Sequence, residues 1–225
     1  MRPSSAAGGP FELLMVRRND KMAFMGGSYV FPGGRVDDAD MPAAGVELPA
    51  PVFSDLGVEQ EAAYRTAAVR ELQEEASVTM TAADLYPFAH WVTPEIESRR
   101  YDTRFFLARM PEGQVAKHDE GETTALEWLS PATAIARFEQ RDILLPPPTW
   151  TTIRQLAQRA SIEDVLQWAS TRKIVRVMPN FVRTETQTML TLPGDPFFPT
   201  IPDWEVPEET RFVLQEGARW QPLKP

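Results

Sequence analysis

The sequence predicts an α/β (α+β) chain, and three observations carry that expectation. The apolar run FELLMVRR, Phe11 to Arg18, is followed by the turn residues Asn19, Asp20 and Lys21, as a buried strand would be. From Glu59 to Ala76 the period turns helical, with Tyr64, Ala68, Val69, Leu72 and Ala76 on one stripe facing the core. Two further strand-like runs, LYPFAHWVTP and RYDTRFFLARM, follow that helix, and the second alternates Tyr101, Thr103 and Phe105.

The remaining elements follow in order. GGSYVFPGG sets aromatic and β-branched residues between two glycine pairs, which predicts a short strand or bend where Gly33 and Gly34 allow close backbone approach. Residues 36–58 are rich in Pro, Ala and Asp without period, and read as a long surface loop or insertion. TTALEWL predicts another strand, and in SPATAIARF Ser130 caps a helix that begins at Pro131. The stretch from Leu144 to Ser170 opens on prolines and continues as one or two helices, with Ser161 and Asp164 marking a second start. Beyond Arg172 only KIVRVM and TQTMLTL are strand-like, ahead of the turn-rich PGDPFFPTIPDWEVPEE.

With 225 residues, 43% of them hydrophobic, the chain can bury one sizeable core, so one main domain, 1–160, with a C-terminal extension, 161–225, packed on it is expected. The tail, with LPGDP at Leu192 to Pro196, offers a lid or a homodimer surface. A formal charge of −9 argues against a nucleic-acid partner or an anionic membrane surface. No long apolar run and no secretory pattern occurs, which predicts a cytoplasmic protein without a membrane partner. Cysteine is absent, so any metal must be held by oxygen, by His90 or by His118. His90 lies in an apolar run and reads as a core histidine.

The helix carries the chemistry. At about 100° per residue, Glu71, Glu74 and Glu75 share one face spanning roughly 100°, and Arg70 reaches Glu74 as its i+4 neighbour. Charged helix faces are ordinarily just solvated. Here no lysine is interleaved to pair the glutamates, and like charges this close repel unless a cation lies between them. Hard divalent ions prefer such oxygen ligands and keep positions open for phosphate oxygens.

FPGG at Phe31 to Gly34 and RELQEE at Arg70 to Glu75 together resemble the Nudix box. The order of LLMVRR, FPGG, RRYDTRFFLA and LEWLSPATAI resembles the subgroup of peroxisomal coenzyme A diphosphatases and their bacterial relatives, over about Phe11 to Phe138. The resemblance implies a Nudix fold, an α/β/α sandwich around a mixed β-sheet, in residues 1–160. It implies Mg2+ or Mn2+ as cofactor and hydrolysis of a diphosphate linkage in a small-molecule nucleotide or coenzyme A substrate. By the same resemblance Glu74 and Glu75 are the leading metal ligands, Glu71 a further ligand or base, and Gly33 a carbonyl ligand. Arg70 orients the carboxylates, and Glu122, six residues ahead of Trp128, is the outer carboxylate, with Asp119 and Glu120 as neighbours in the same role. Arg17, Lys21, Arg100 and Gly34 are the substrate-binding candidates. ADP-ribose, dinucleotides and nucleoside triphosphates are the alternative substrates, and a non-catalytic nucleotide-binding regulator is the alternative of another class.

Three departures from the box stand out. Arg70 follows Gly34 by 36 positions, so the spacer holds an insertion. Ala62 replaces a glutamate, with Glu61 and Glu59 beside it as candidates for its structural role. Ser77 stands where the box has a glycine, so either the helix ends differently or some stability is lost.

Overall fold

The computed structural model describes residues 1–4, 9–21, 25–42, 47–118 and 123–225. Its organisation follows from strand β2 (Phe11–Arg18), after the short β1 (Arg2–Pro3). Phe11 to Val16 of β2 are all buried, which a period of two permits only if both faces of the strand are covered. Phe11, Leu13 and Met15 enter one apolar cluster, whereas Leu14 enters a second. Glu12 accepts a 2.7 Å bond from Arg2 at this buried position.

Strand β3 (Tyr29–Val30) pairs antiparallel with β2, Val16 opposite Val30. The long helix α1 (Val58–Ala76) follows the spacer, then β4 (Tyr86–Val92), β5 (Asp102–Leu107) and β6 (Thr123–Leu129). β6 runs antiparallel along β2, and both β5 and β6 repeat the split between clusters. Phe105, Leu107 and Leu129 face the first cluster, Phe106, Leu126 and Trp128 the second. Helices α2 (Pro131–Glu139), α3 (Pro147–Leu156) and α4 (Ile162–Thr171) supply Ala134, Phe138, Trp150, Ile153 and Val165 to the first cluster. Helix α1 closes the second with Ala68, Val69, Leu72 and Ala76. Helices therefore lie on both faces of the strands, the layering of an α/β/α sandwich.

Mixed pairing occurs at β4, which takes β5 antiparallel and β7 (Arg176–Val177) parallel. The last strands, β8 (Asn180–Arg183), β9 (Thr188–Thr191), β10 (Arg211–Gln215) and β11 (Arg219–Leu223), form an antiparallel meander whose Leu190, Leu192 and Phe212 join the first cluster. Among these, β8, β10 and β11 lack strong local strand signals. Among the described residues no helix is long and apolar enough to cross a membrane.

Local signals mark several helix starts as expected. Ser130 Oγ accepts from the Thr133 amide and Ser161 Oγ from the Asp164 amide. Two expectations need correction. The stripe on α1 is not its most buried face: of its members Ala76 is buried but Tyr64, Ala68, Val69 and Leu72 are half-buried, whereas Glu61, Ala62, Ala63, Arg65, Ala67 and Glu75, off the stripe, are buried. An ion pair occupies that side. Arg65, fully buried, donates to Glu61 at 2.8 Å, to the carbonyls of Ala82 and Leu85 at 2.8 Å, and to Pro51 at 2.6 Å. The second correction concerns the spacer, which is not wholly surface. Its Asp40 and Phe53 are buried, and the Phe53 amide donates to Glu61.

Glu61 thus takes a structural role beside Ala62. Removing it strands a buried guanidinium, so Glu61→Ala should cost about 3–5 kcal/mol in urea unfolding. Ser77 ends α1 in the left-handed conformation, φ 55° and ψ 29°, and its amide bonds the Gln73 carbonyl. A serine there carries a steric cost of roughly 1 kcal/mol that glycine avoids. Ser77→Gly should raise the thermal midpoint by about 2–4 °C, read by circular dichroism.

Candidate active site

The last two turns of α1 face the loop that follows β3. Gly33 adopts φ +153°, a conformation L side chains rarely take, with open space around it, so backbone geometry rather than crowding selects glycine. Its amide donates to Glu75 Oε2 at 2.9 Å. Gly34 is selected by contact instead: a Cβ there would run into the Glu71 carboxylate. Glu71 and Glu75, one helical turn apart, therefore bracket the two glycines. Glu75 is only 8% exposed, which a carboxylate tolerates only with partners.

Arg70 organises the other side. Its Nη1 donates to Glu71 at 2.9 Å and to Glu74 at 3.0 Å. Its Nε and Nη2 each reach Asp40 at 3.0 Å, and Nη2 also reaches the Arg35 carbonyl at 2.8 Å. Hydrogen bonds from Arg70 hold the Asp40 carboxyl below its ordinary range although burial opposes them, and Asp40 in turn raises the guanidinium. Sequence reasoning missed Asp40. Its signal was the acidic run Asp37, Asp38, Asp40 inside the apolar and proline-rich spacer.

Glu71, Glu74 and Glu75 share a helix face, yet the described residues hold no group of three His, Asp or Glu side chains gathered as a metal cage. Geometry explains the divergence: Arg70 draws Glu74, which is half exposed, away from the buried Glu75. The donor chemistry still fits a hard divalent cation. Three carboxylates, Asp40, Glu71 and Glu74, lie on one guanidinium, and Glu75 lies on the Gly33 amide beside them, so these side chains alone carry excess negative charge, and all offer oxygen. Glu122, Asp119 and Glu120 lie outside the described residues.

The substrate-binding candidates are spread out. Arg17 binds Thr124 at 3.0 Å and Asp20 at 2.7 Å. The antiparallel pairing of β2 with β3 puts Arg17 and Lys21 toward the turn of that hairpin and Gly33 toward its open end. Arg100 binds the Thr93 carbonyl beside Tyr101, over whose ring the Arg35 guanidinium lies at 6.0 Å. Gly34, Arg35 and the loop of Arg100 thus share one neighbourhood. His90 is buried, with Nε2 2.8 Å from Asp102 and Nδ1 3.6 Å from Asp55, and burial lowers its pKa.

A glycine loop clasping glutamates of an R-E-x-x-E-E helix, inside an α/β/α sandwich, is the Nudix arrangement, and the chain is similar to Nudix hydrolases in sequence and in fold. A family model for the NUDT19 Nudix domain matches residues 81–156, just past the box helix. Acyl-coenzyme A diphosphatase NUDT19 of Homo sapiens is 25% identical to the chain, over 97% of it and 81% of the relative. The Gallus gallus protein of the same name is 27% identical over 90% of the chain and 76% of the relative. Among solved structures, a Nudix hydrolase from Alicyclobacillus acidocaldarius superposes with a TM-score of 0.63 at 20% identity, covering 77% of this chain and 93% of that one. These similarities support a Nudix pyrophosphohydrolase, an enzyme class that generally works with divalent metal ions.

Gly34 offers a direct test of the clasp. Because the obstructing atoms are the far end of a flexible side chain, Gly34→Ala should leave the thermal midpoint within about 2 °C while displacing Glu71. Turnover should fall at least about tenfold.

Proposed function

We propose that the chain hydrolyses the diphosphate linkage of coenzyme A or acyl-coenzyme A with Mg2+ or Mn2+. The observation that carries the hydrolase chemistry is the clasp of Glu71 and Glu75 on Gly33 and Gly34. The substrate class is supported by the names of relatives similar along nearly the whole chain.

In this reading Glu71, Glu74, Glu75 and the Gly33 carbonyl hold the cation, as hard oxygen donors do. The ion supplies charge neutralisation for the diphosphate oxygens and acidifies water. Arg70 holds Glu71 and Glu74 apart from one another's charge. Glu71 or Glu122 accepts the proton of the water that attacks phosphorus, and the P–O–P bridge breaks to leave two phosphate monoesters. Gly34 leaves room for the Glu71 carboxylate. Arg100 contacts phosphate near the box, while Arg17 and Lys21, at the turn of the β2–β3 hairpin, meet the distant part of a long substrate.

Purified protein with Mg2+ or Mn2+ should cleave coenzyme A or an acyl-coenzyme A in a panel that also holds ADP-ribose, NADH, dinucleoside polyphosphates and nucleoside triphosphates. Cleavage of another member alone would reassign the substrate. Glu75→Gln, which keeps shape and removes charge, should lower turnover by several orders of magnitude with the fold intact. Glu122→Gln should cost less, and a far larger loss in Glu120→Gln or Asp119→Asn would move the outer carboxylate there.

A further inference from the structure

We propose that Asp40, in the spacer insertion, is a positioning residue for the box: it fixes the Arg70 guanidinium and, through it, the Glu71 and Glu74 carboxylates. The assignment rests on the hydrolase reading above and extends it to a residue of the spacer, apart from the glycines and the R-E-x-x-E-E helix.

Burial is the first reason. Asp40 is 2% exposed although the residues around it in the turn, Asp37 to Asp38 and Met41, are exposed. A carboxylate is withdrawn from water only against strong partners. Its partners are the Asp37 amide at 2.8 Å and two nitrogens of Arg70 at 3.0 Å each. Planarity is the second reason. A guanidinium is a rigid fork, so fixing Nε and Nη2 fixes where Nη1 points. With Asp40 on those two nitrogens and the Arg35 carbonyl also on Nη2, the remaining Nη1 is aimed at Glu71 and Glu74.

Charge is the third reason. Asp40 offsets the guanidinium from the side away from the glutamates. Arg70 can then hold Glu71 and Glu74 in place by hydrogen bonds without fully neutralising them, which leaves their charge available to a divalent cation.

The test compares kinetics, Mn2+ binding and stability in the full chain. Asp40→Asn keeps shape and removes the charge. It should lower kcat about 10–100-fold with KM within about twofold, and should weaken Mn2+ binding, followed by electron paramagnetic resonance, about tenfold. In an Arg70→Ala background the same substitution should cost nothing more, because its target is gone. Asp38→Asn, which removes equal charge from the same turn, should leave kcat and Mn2+ binding unchanged. If Asp40→Asn proves unstable, Asp40→Glu should fold and recover part of the turnover. An active wild type with an equally active Asp40→Asn, or losses that add to those of Arg70→Ala, would overturn the assignment alone. A wild type that neither binds Mn2+ nor cleaves any member of the panel would overturn the hydrolase reading and the assignment with it.

Discussion

The Arg65–Glu61 pair sets the frame on which the site is built. Taking both charges out of water is costly, and an isolated pair would not repay it. Here the guanidinium also satisfies the carbonyls of Pro51, Ala82 and Leu85, so one side chain ties α1 to the spacer before it and to the connection after it. Because α1 is one continuous helix, fixing its rotation at Arg65 fixes the direction in which Glu71 and Glu75 leave it. They lie six and ten residues further on, a displacement of about 9 and 15 Å along the axis. The glycine loop must then meet those carboxylates, and it does so because Gly33 takes a backbone conformation that L side chains rarely adopt and Gly34 has no side chain in the way.

Much of this was legible in the sequence where the physics is local. Strand β2, helix α1 and the Ser130 and Ser161 caps follow from runs, periods and capping side chains within a few residues. The box glutamates were legible because a helix converts spacing directly into a shared face. What stayed hidden depends on partners far along the chain. Asp40 and Arg70 are thirty positions apart, and no local rule marks one aspartate of an acidic run as the buried one. The burial of Arg65 runs against the expectation for an arginine beside alanines, since only its distant carbonyl partners allow it. The late strands β8, β10 and β11 are short and are held by one another and by the first cluster rather than by propensity.

The same long-range logic explains why sharing a face did not mean gathering into a cage. Helical geometry places Glu74 and Glu75 about 100° apart, at the two edges of the face they share with Glu71. Which way each carboxylate then turns is decided by Arg70 for one and by the Gly33 amide for the other. The glutamates therefore have distinct surroundings before any ion is considered, Glu75 buried and Glu74 half exposed.

The spacer is anchored to α1 twice, at Asp40 through Arg70 and at Pro51 and Phe53 through Arg65 and Glu61. Between two fixed points a chain's closure entropy rises only with the logarithm of its length, about 0.6 kcal/mol for each doubling. Residues could be gained or lost between Met41 and Ala50 with little effect on the geometry at either anchor. Length and sequence can therefore drift there while the two anchors, and the helix they hold, keep their geometry.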